Sequence, residues 1–422
     1  MDRKKIIQII IFTVIVVGLG YLLWFLFWRT EVPITPPDTT PGQTGQLPDI
    51  GEGPPTGVVI DPITGLPISG NIGQSGGQIP TTPGQIGGQP TVSDRAIGGL
   101  TTAKTVIAKN ITGVKPIGDG KSFNYYDSAD NKFYRLTASG EVQPLSDKRF
   151  FNVDTVTWSP DGEKAILEYP DSTNIYYDFT QDKQVTLPRQ MTEFDFSRTG
   201  TNIGFKWQSD LANDDWLGVA TPDGSEIKFV EPMNNAGEDV QVAWSPNNQV
   251  IAFYREGRGL NQSEIYLIGQ NGENFKSLTV QGRGFKGEWL DDGKNVIYQI
   301  YSEASGSRPM LWVTRADGDN IGMNNNSLGI QTWLDKCAIA GTNAYCAVPE
   351  YLPEGAAYVP EVADDIPDLF YRIDLTTGSK TLLAKPVGDL TKYTASEVMV
   401  SQDQSVLYFV DKATGGLYSI NL

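Results

Sequence analysis

Beyond about residue 100 the chain alternates short apolar runs with clusters of turn residues. Lys164-Ala165-Ile166-Leu167 and Val250-Ile251-Ala252-Phe253 are typical runs, and Ser, Pro, Asp, Asn and Gly bound them. Runs of about four to eight residues bounded this way predict β-strands. A fixed phrase recurs between them: Trp158-Ser159-Pro160-Asp161-Gly162, Phe196-Ser197-Arg198-Thr199-Gly200, Trp244-Ser245-Pro246-Asn247-Asn248 and Trp289-Leu290-Asp291-Asp292-Gly293. The copies stand roughly 40–50 residues apart, the period of a four-stranded propeller blade. A second marker keeps step roughly 28 residues behind each aromatic, and reads as a hairpin. It is Pro222-Asp223-Gly224, Gln270-Asn271-Gly272 and Ala316-Asp317-Gly318.

Each phrase has the chemistry of a turn. Ser accepts at the first position, Pro pre-sets φ at the second, Asp bonds locally and Gly takes the closing geometry. The pattern predicts an all-β propeller of about seven blades, at 110–148, 150–189, 190–233, 238–280, 283–325, 328–388 and 393–422. Six or eight blades stay open, because the first and sixth units are irregular. The last unit holds three runs, 397–400, 405–410 and 417–421, and Thr105-Val106-Ile107-Ala108 can supply its fourth strand. Such closure removes open sheet edges. The fixed position of Trp158, Trp244, Trp289 and Trp333 points to packing between blades rather than to a carbohydrate platform.

These phrases resemble the TolB-type propeller repeat of bacterial envelope proteins. The resemblance covers about residues 101–422 and is specific in the units beginning near Thr155, Thr192, Asp239 and Gly284. It is poor at Ile117-Gly118-Asp119-Gly120, Trp333-Leu334-Asp335-Lys336 and Val400-Ser401-Gln402-Asp403, and it does not extend to the α/β domain that precedes the propeller in TolB. It implies a propeller in the cell envelope. Because the repeat residues of the family are structural, it implies no catalytic residue.

The front of the chain has a different pattern. Residues 6–28 form an uncharged apolar run, long enough as a helix to cross a hydrocarbon core of ~30 Å. Arg3, Lys4 and Lys5 precede it, and after Arg29 no Lys or Arg occurs before Arg95. The positive-inside rule then places the N-terminus in the cytoplasm and the remainder outside. No small-residue cleavage pattern follows Leu26-Phe27-Trp28, which favours a signal anchor over a cleaved signal. The next stretch is rich in Pro, Gly, Gln and Thr, without apolar periodicity, and reads as a disordered tether. The expected plan is a cytoplasmic N-terminus (1–5), a transmembrane anchor (6–28), a tether (29–100) and a propeller (101–422).

Composition narrows the chemistry. A formal net charge of −17 disfavours nucleic acid and anionic lipid headgroups as ligands of the propeller. With no His in 422 residues, Ser-His-Asp and Cys-His nucleophiles and imidazole zinc sites are excluded. Carboxylate chemistry survives, but no pair of acids stands out by spacing, so no catalytic residue, metal site or cofactor is expected. Asp127–Asn131 and Asn213–Asp215 could each give calcium two or three oxygens, yet neither has EF-hand spacing.

Cys337 and Cys346 flank Gly341-Thr342 symmetrically. If those two residues form a hairpin loop, Ala340 faces Asn343 and Cys337 faces Cys346 at a non-hydrogen-bonded pair. That is within disulfide reach, and an extracytoplasmic site permits oxidation.

With strands running first to fourth in each blade, the loops joining second to third share one face: 127–131, 171–174, 208–215, 256–263, 302–309, 350–368 and 411–416. Several exceed hairpin length, and function concentrates in long loops on rigid scaffolds. Candidate binding residues on this face are Asp214, Asp215, Arg258, Tyr351, Glu354, Tyr358, Asp364 and Asp365. Mixed acids and aromatics suit contact with a protein or glycan. The resulting expectation is a non-catalytic scaffold or accessory subunit that binds an envelope or surface protein. The alternative is a carboxylate-dependent surface enzyme or lectin-like module acting on glycans.

Overall fold

The computed structural model describes residues 91–422 apart from Ala212, Leu260 and Asn274, and ahead of them only the pairing of Val59–Ile60 with Pro67–Ile68. The expected anchor, and the tether up to residue 90 beyond that pairing, lie outside the described residues. No helix among the described residues is long and apolar enough to cross a membrane.

Seven sheets follow one another along the chain, at 111–144, 155–187, 191–232, 240–280, 283–327, 337–387 and 395–421. In each, consecutive strands pair antiparallel in chain order, and the first strands of successive blades lie against one another around a central channel. The fold is a seven-bladed β-propeller, as the spacing of the phrase predicts.

The phrase forms the turn between first and second strands. At Ser159 the Gly162 amide donates to the Ser159 carbonyl at 2.9 Å, and the Lys164 amide donates to Ser159 Oγ at 3.0 Å. Gly162 sits at φ 67°, a region glycine enters at no steric cost. Ser197 and Ser245 repeat the arrangement. The copy that is faint in sequence does so as well: the Gln404 amide donates to the Ser401 carbonyl at 2.8 Å, and the Val406 amide to Ser401 Oγ at 3.0 Å. The second marker is less uniform. Gly318–Asn320 opens into a 3-10 turn, and the outer strand of blade 5 shrinks to Asn326–Ser327.

Trp158, Trp244 and Trp289 pack between blades, whereas Trp333 packs instead against the long loop of its own blade. Trp158 donates its indole N–H to the Gly113 carbonyl at 2.8 Å and stacks on Phe179, with centroids 5.2 Å apart. Trp289 stacks on Phe253 of the preceding blade at 5.5 Å. These contacts use both the apolar face of the indole and its one donor.

Two strands from the front of the propeller close the ring. Lys104–Ile107 pairs antiparallel with Leu417–Asn421 as the fourth strand of blade 7, within one residue of the expected run. The pattern gives no sign of the other: Gly99–Thr102 pairs in parallel with Lys380–Val387 and makes blade 6 five-stranded. Between them Ala103, only 3 % exposed, enters the core shared by blades 6 and 7. Blades 7 and 1 then meet through the Gln402 amide, which donates to the Asp119 carbonyl at 2.8 Å, and through Phe123 packed edge-on against Tyr408 at 4.6 Å.

Two further features hold this seam. Cys337 and Cys346 are disulfide-bonded, with Cα atoms 4.1 Å apart, in the register deduced from the two-residue loop: Ala340 faces Asn343. Lys336 and Asp368 form a buried ion pair at 2.7 Å, their side chains 8 % and 0 % exposed. Asp368 also accepts from the Ala395 amide of blade 7 at 2.7 Å, so its charge ties two blades together.

Candidate functional site

The loops joining second to third strands open on one end of the ring, and the largest is itself folded. Residues 350–367 pack Leu352, Ala356 and Ala363 into a small core against Trp333. The loop leans on its neighbour in blade 5: the Gly355 amide donates to the Gly306 carbonyl at 2.9 Å, the Ala357 amide to the Ser307 carbonyl at 3.0 Å, and Arg308 Nε to the Leu352 carbonyl at 2.7 Å. Tyr358 packs edge-on against Tyr301, centroids 5.0 Å apart. On the other side Asp364 and Asp365 pair with Lys412 and Lys392. Such a compact surface loop with its own packing is held at a fixed angle to the scaffold.

This geometry gathers five of the candidate residues, Tyr351, Glu354, Tyr358, Asp364 and Asp365, onto one platform. Tyr351 and Tyr358 remain 66 % and 64 % exposed, beside exposed Val359 and Val362. The other three stand on separate loops of blades 3 and 4, engaged locally. Asp214 accepts from Ser209 Oγ and Trp216 Nε1, both at 3.1 Å, and Asp215 accepts from the Ser209 amide at 2.8 Å. Arg258 pairs with Glu256 and donates to the Tyr266 hydroxyl, both at 2.9 Å. Of the acids offered as calcium ligands, Asp127 binds Lys109 at 2.7 Å and the Ala129 amide at 3.0 Å.

A second constellation, which sequence spacing misses, lines the central channel. The inner strands of blades 1, 3, 5 and 7 each shift register once, between Thr112 and Lys115, Thr192 and Asp195, Arg283 and Lys286, and Ala395 and Glu397. Bulges of this kind re-aim side chains. Around these four strands lie the mutually interacting charges Lys115, Asp195, Glu288 and Glu397, with Asp335 on the turn that enters blade 6. Asp335 is paired with Lys286.

Between blades 5, 6, 7 and 1 the channel widens into a cavity of about 510 Å³ whose walls include Glu288, Asp335, Glu397, Leu334, Ile339 and Val398. Channel water reaches both glutamates: Glu288 is exposed and Glu397 is half-buried. Burial, then the charge of Asp335, pushes Glu288 up to about 7. Burial likewise raises Glu397 to about 7 against the pull of Lys115, and Asp195 to about 6 although it accepts the Trp244 amide. Burial lowers Lys115. One signal in the sequence marks part of this set: Asp195 and Glu288 each stand directly before the repeat aromatic.

No protein-family model matches the chain. Over 73 residues it is 23 % identical to Tol-Pal system protein TolB 1 of Novosphingobium aromaticivorans, a match covering 17 % of this chain and 16 % of that protein. The matched stretch is thus about a sixth of the relative's length. Two solved structures share the fold. The β-propeller domain of Myceliophteria thermophila Cps50 (Swd1) superposes with a TM-score of 0.51 at 10 % identity, over 76 % of this chain and 99 % of that one. An oligogalacturonate lyase in complex with manganese gives 0.52 at 14 % identity, over 76 % of this chain and 90 % of that one. At these identities the likeness is one of fold, and folds host many activities. It makes the chain a propeller with a partial likeness to TolB.

Proposed function

We propose that this chain is a membrane-tethered extracytoplasmic propeller that presents the platform of blade 6 to a protein partner in a cell-envelope assembly. The observation that carries the reading is the platform: a loop with its own core that leaves Tyr351, Tyr358, Val359 and Val362 outside. A loop built only to span two strands has no need of a core, and aromatic side chains held rigid and exposed are typical anchors of protein interfaces. The basic residues ahead of the apolar run 6–28 support the topology, the disulfide is compatible with an oxidising compartment, and the short TolB match supports the envelope. The glycan alternative gains nothing from the lyase, whose likeness is fold alone.

Crosslinking in intact membranes followed by affinity capture of the full chain tests the contact. Tyr351→Ser with Tyr358→Ser is expected to abolish a crosslinked partner that the unaltered chain retains, with no change in thermal midpoint. An undiminished crosslink would overturn the assignment of the platform. Protease added to intact cells is expected to release an acidic fragment beginning in the tether. Full protection there, with digestion in inverted vesicles, would overturn the topology.

A further inference from the structure

The turn between the third and fourth strands of blade 4, Ser263–Gly269 and Leu278–Val280, carries the one Asn-Gly pair of the chain, Asn271-Gly272. Both residues are exposed, as is Glu273. The five Asp-Gly pairs stand in turns of the same kind but are bonded differently. Asp119, Asp161, Asp223 and Asp292 each accept the backbone amide two residues on, and two nitrogens of Arg315 grip Asp317 at 2.9 Å. In four of the five the glycine amide is engaged too, Gly120 with the carbonyl of Ile117, Gly162 with Ser159, Gly224 with Thr221 and Gly293 with Leu290. At Asn271-Gly272 both groups are free among the described residues. The Gly272 amide donates to no acceptor, and the Asn271 side-chain oxygen accepts from no donor. That side chain is positioned through its NH2 alone, which donates to Glu273 at 3.0 Å, while the Asn271 backbone amide donates to the same carboxylate at 2.8 Å.

We propose that Asn271-Gly272 is a site of spontaneous self-modification, at which the Gly272 nitrogen attacks the Asn271 side-chain carbonyl. The nitrogen gives its proton to hydroxide, and the new C–N bond closes a succinimide ring. The side-chain nitrogen takes a proton from water and leaves Cγ as ammonia. Water then opens either carbonyl of the ring. Addition at Cγ leaves an aspartyl residue, and addition at the backbone carbonyl leaves a β-aspartyl link with one more carbon in the main chain. The attack needs a nucleophile with no Cβ in the way, which glycine supplies, and every other Asn is followed by a residue that has one. A side-chain amide is uncharged and electrophilic at neutral pH, whereas an Asp carboxylate is ionised there, so the bonded Asp-Gly turns are spared. The product reaches beyond the turn. A carboxylate at position 271 would face that of Glu273, where an amide now donates, and like charges repel. The same turn joins blades 3 and 4: Lys228 Nζ donates to the Gln270 carbonyl at 2.9 Å, and Gln270 Nε2 to the Asn248 carbonyl at 2.8 Å.

Peptide mapping of the detergent-solubilised full chain, aged at pH 6 and at pH 8, tests the proposal. A gain of one mass unit is expected in the peptide that contains Asn271, faster at pH 8 because hydroxide drives the attack. Methylation by an isoaspartyl methyltransferase should mark the β-aspartyl product in that same peptide. Asn271→Gln, whose longer side chain closes a ring poorly, should slow the gain at least tenfold, and it alters only an exposed turn. A synthetic peptide spanning residues 266–276 gives the rate for the unfolded sequence, and the folded chain should react within a few-fold of it. A rate in the folded chain at least tenfold below the peptide's would show that the hairpin shields the pair, and would overturn the proposal. So would the absence of any gain at Asn271, or an equal gain at Asn326 or Asn343, which precede Ser and Ala.

Discussion

Blades 2 to 5 and the stretch running from blade 6 through blade 7 to blade 1 build the same ring by different means. In the arc of blades 2 to 5 each blade meets the next through contacts that recur with the repeat. The Trp244 amide to Asp195, Gln241 to Gly287 and Asn247 to Gly293 join residues 46 to 49 positions apart. In the seam the chain has no next repeat to lean on. There Arg95 reaches the Leu422 carbonyl across 327 positions, the strand Gly99–Thr102 lies in parallel on blade 6, a disulfide joins that blade's first two strands, and a buried ion pair ties the turn that enters it to its third strand. A repeat can propagate by nearest-neighbour rules, but a closed ring needs one junction that the repeat does not encode.

The strongest way to break this comparison is to remove the junction. Deleting residues 1–90 should leave a soluble domain with one cooperative thermal transition, since every strand that closes the ring is retained. Deleting residues 1–107 takes away Gly99–Thr102 and Lys104–Ile107 and bares the edges of Lys380–Val387 and Leu417–Asn421. Unpaired edges of this kind aggregate. Calorimetry and size-exclusion chromatography should show loss of the cooperative transition and a shift to large species. A monomeric, cooperatively melting 108–422 fragment would show that the seam is dispensable.

The next effect is the buried ion pair. Lys336→Met would leave Asp368 in the core with the Ala395 amide as a partner but no cation. Breaking one side of such a pair costs about 3–5 kcal/mol, read as a lower midpoint in urea. Because the cost comes from an uncompensated charge, Lys336→Met with Asp368→Leu should recover most of it. Equal loss in the single and double variants would mean that the residues matter by shape alone.

The same division explains what could be read from the chain. The arc was legible because one local demand acts four times: a tight turn, opened by serine in three of the four copies, after an aromatic that must be buried between blades. Ser401-Gln402-Asp403-Gln404 obeys that demand with Gln404 at φ 53°, so the absence of glycine hides a turn that the backbone still makes. The disulfide was legible because Gly341-Thr342 fixes the register outward from itself. The strand Gly99–Thr102 was not. Its residues, Gly-Leu-Thr-Thr, lack alternation, and its pairing depends on Ala384–Val387, which lies far along the chain. The platform was legible as a long loop rich in acids and aromatics, but its fold depends on Gly306 and Ser307 of the neighbouring blade. The channel charges were hidden for a related reason. Positions 195, 288, 335 and 397 meet only once the ring closes.

A smaller change tests what arc and seam share. Ser245 accepts the Val250 amide at 2.8 Å, and Ser401 accepts the Val406 amide at 3.0 Å. Replacing either by Ala orphans a poorly solvated N–H, at a cost of about 1–2 kcal/mol. Ser245→Ala and Ser401→Ala should therefore lower the urea midpoint by similar amounts, although one turn is plain in sequence and the other faint. A much smaller effect at Ser401 would mean that the seam does not rely on the repeat turn at all.

The finest test compares the two channel glutamates, one on each side of the division. A carboxyl group whose pKa is higher in the fold than in the unfolded chain binds its proton more tightly when folded. It therefore costs nothing well below its ordinary value of 4.5 and costs most above its folded value of about 7. Stability from these two groups falls as pH rises through that window. Replacing Glu by Gln removes the cost, so each variant should melt higher than the parent at pH 8 and match it near pH 5. The neighbours decide the size. Glu288, in the arc, feels Asp335, Asp195 and Asp291 against Lys286 alone. Glu397, in the seam, sits beside Lys115, which also loses a partner when the charge goes. Glu288→Gln should thus gain about 1 kcal/mol at pH 8, a figure held down by screening from channel water, or about 2 °C in Tm. Glu397→Gln should gain less. Thermal melts of both variants at pH 5 and pH 8 settle the ranking, and a larger gain at Glu397 would show that Lys115 takes no stabilisation from it.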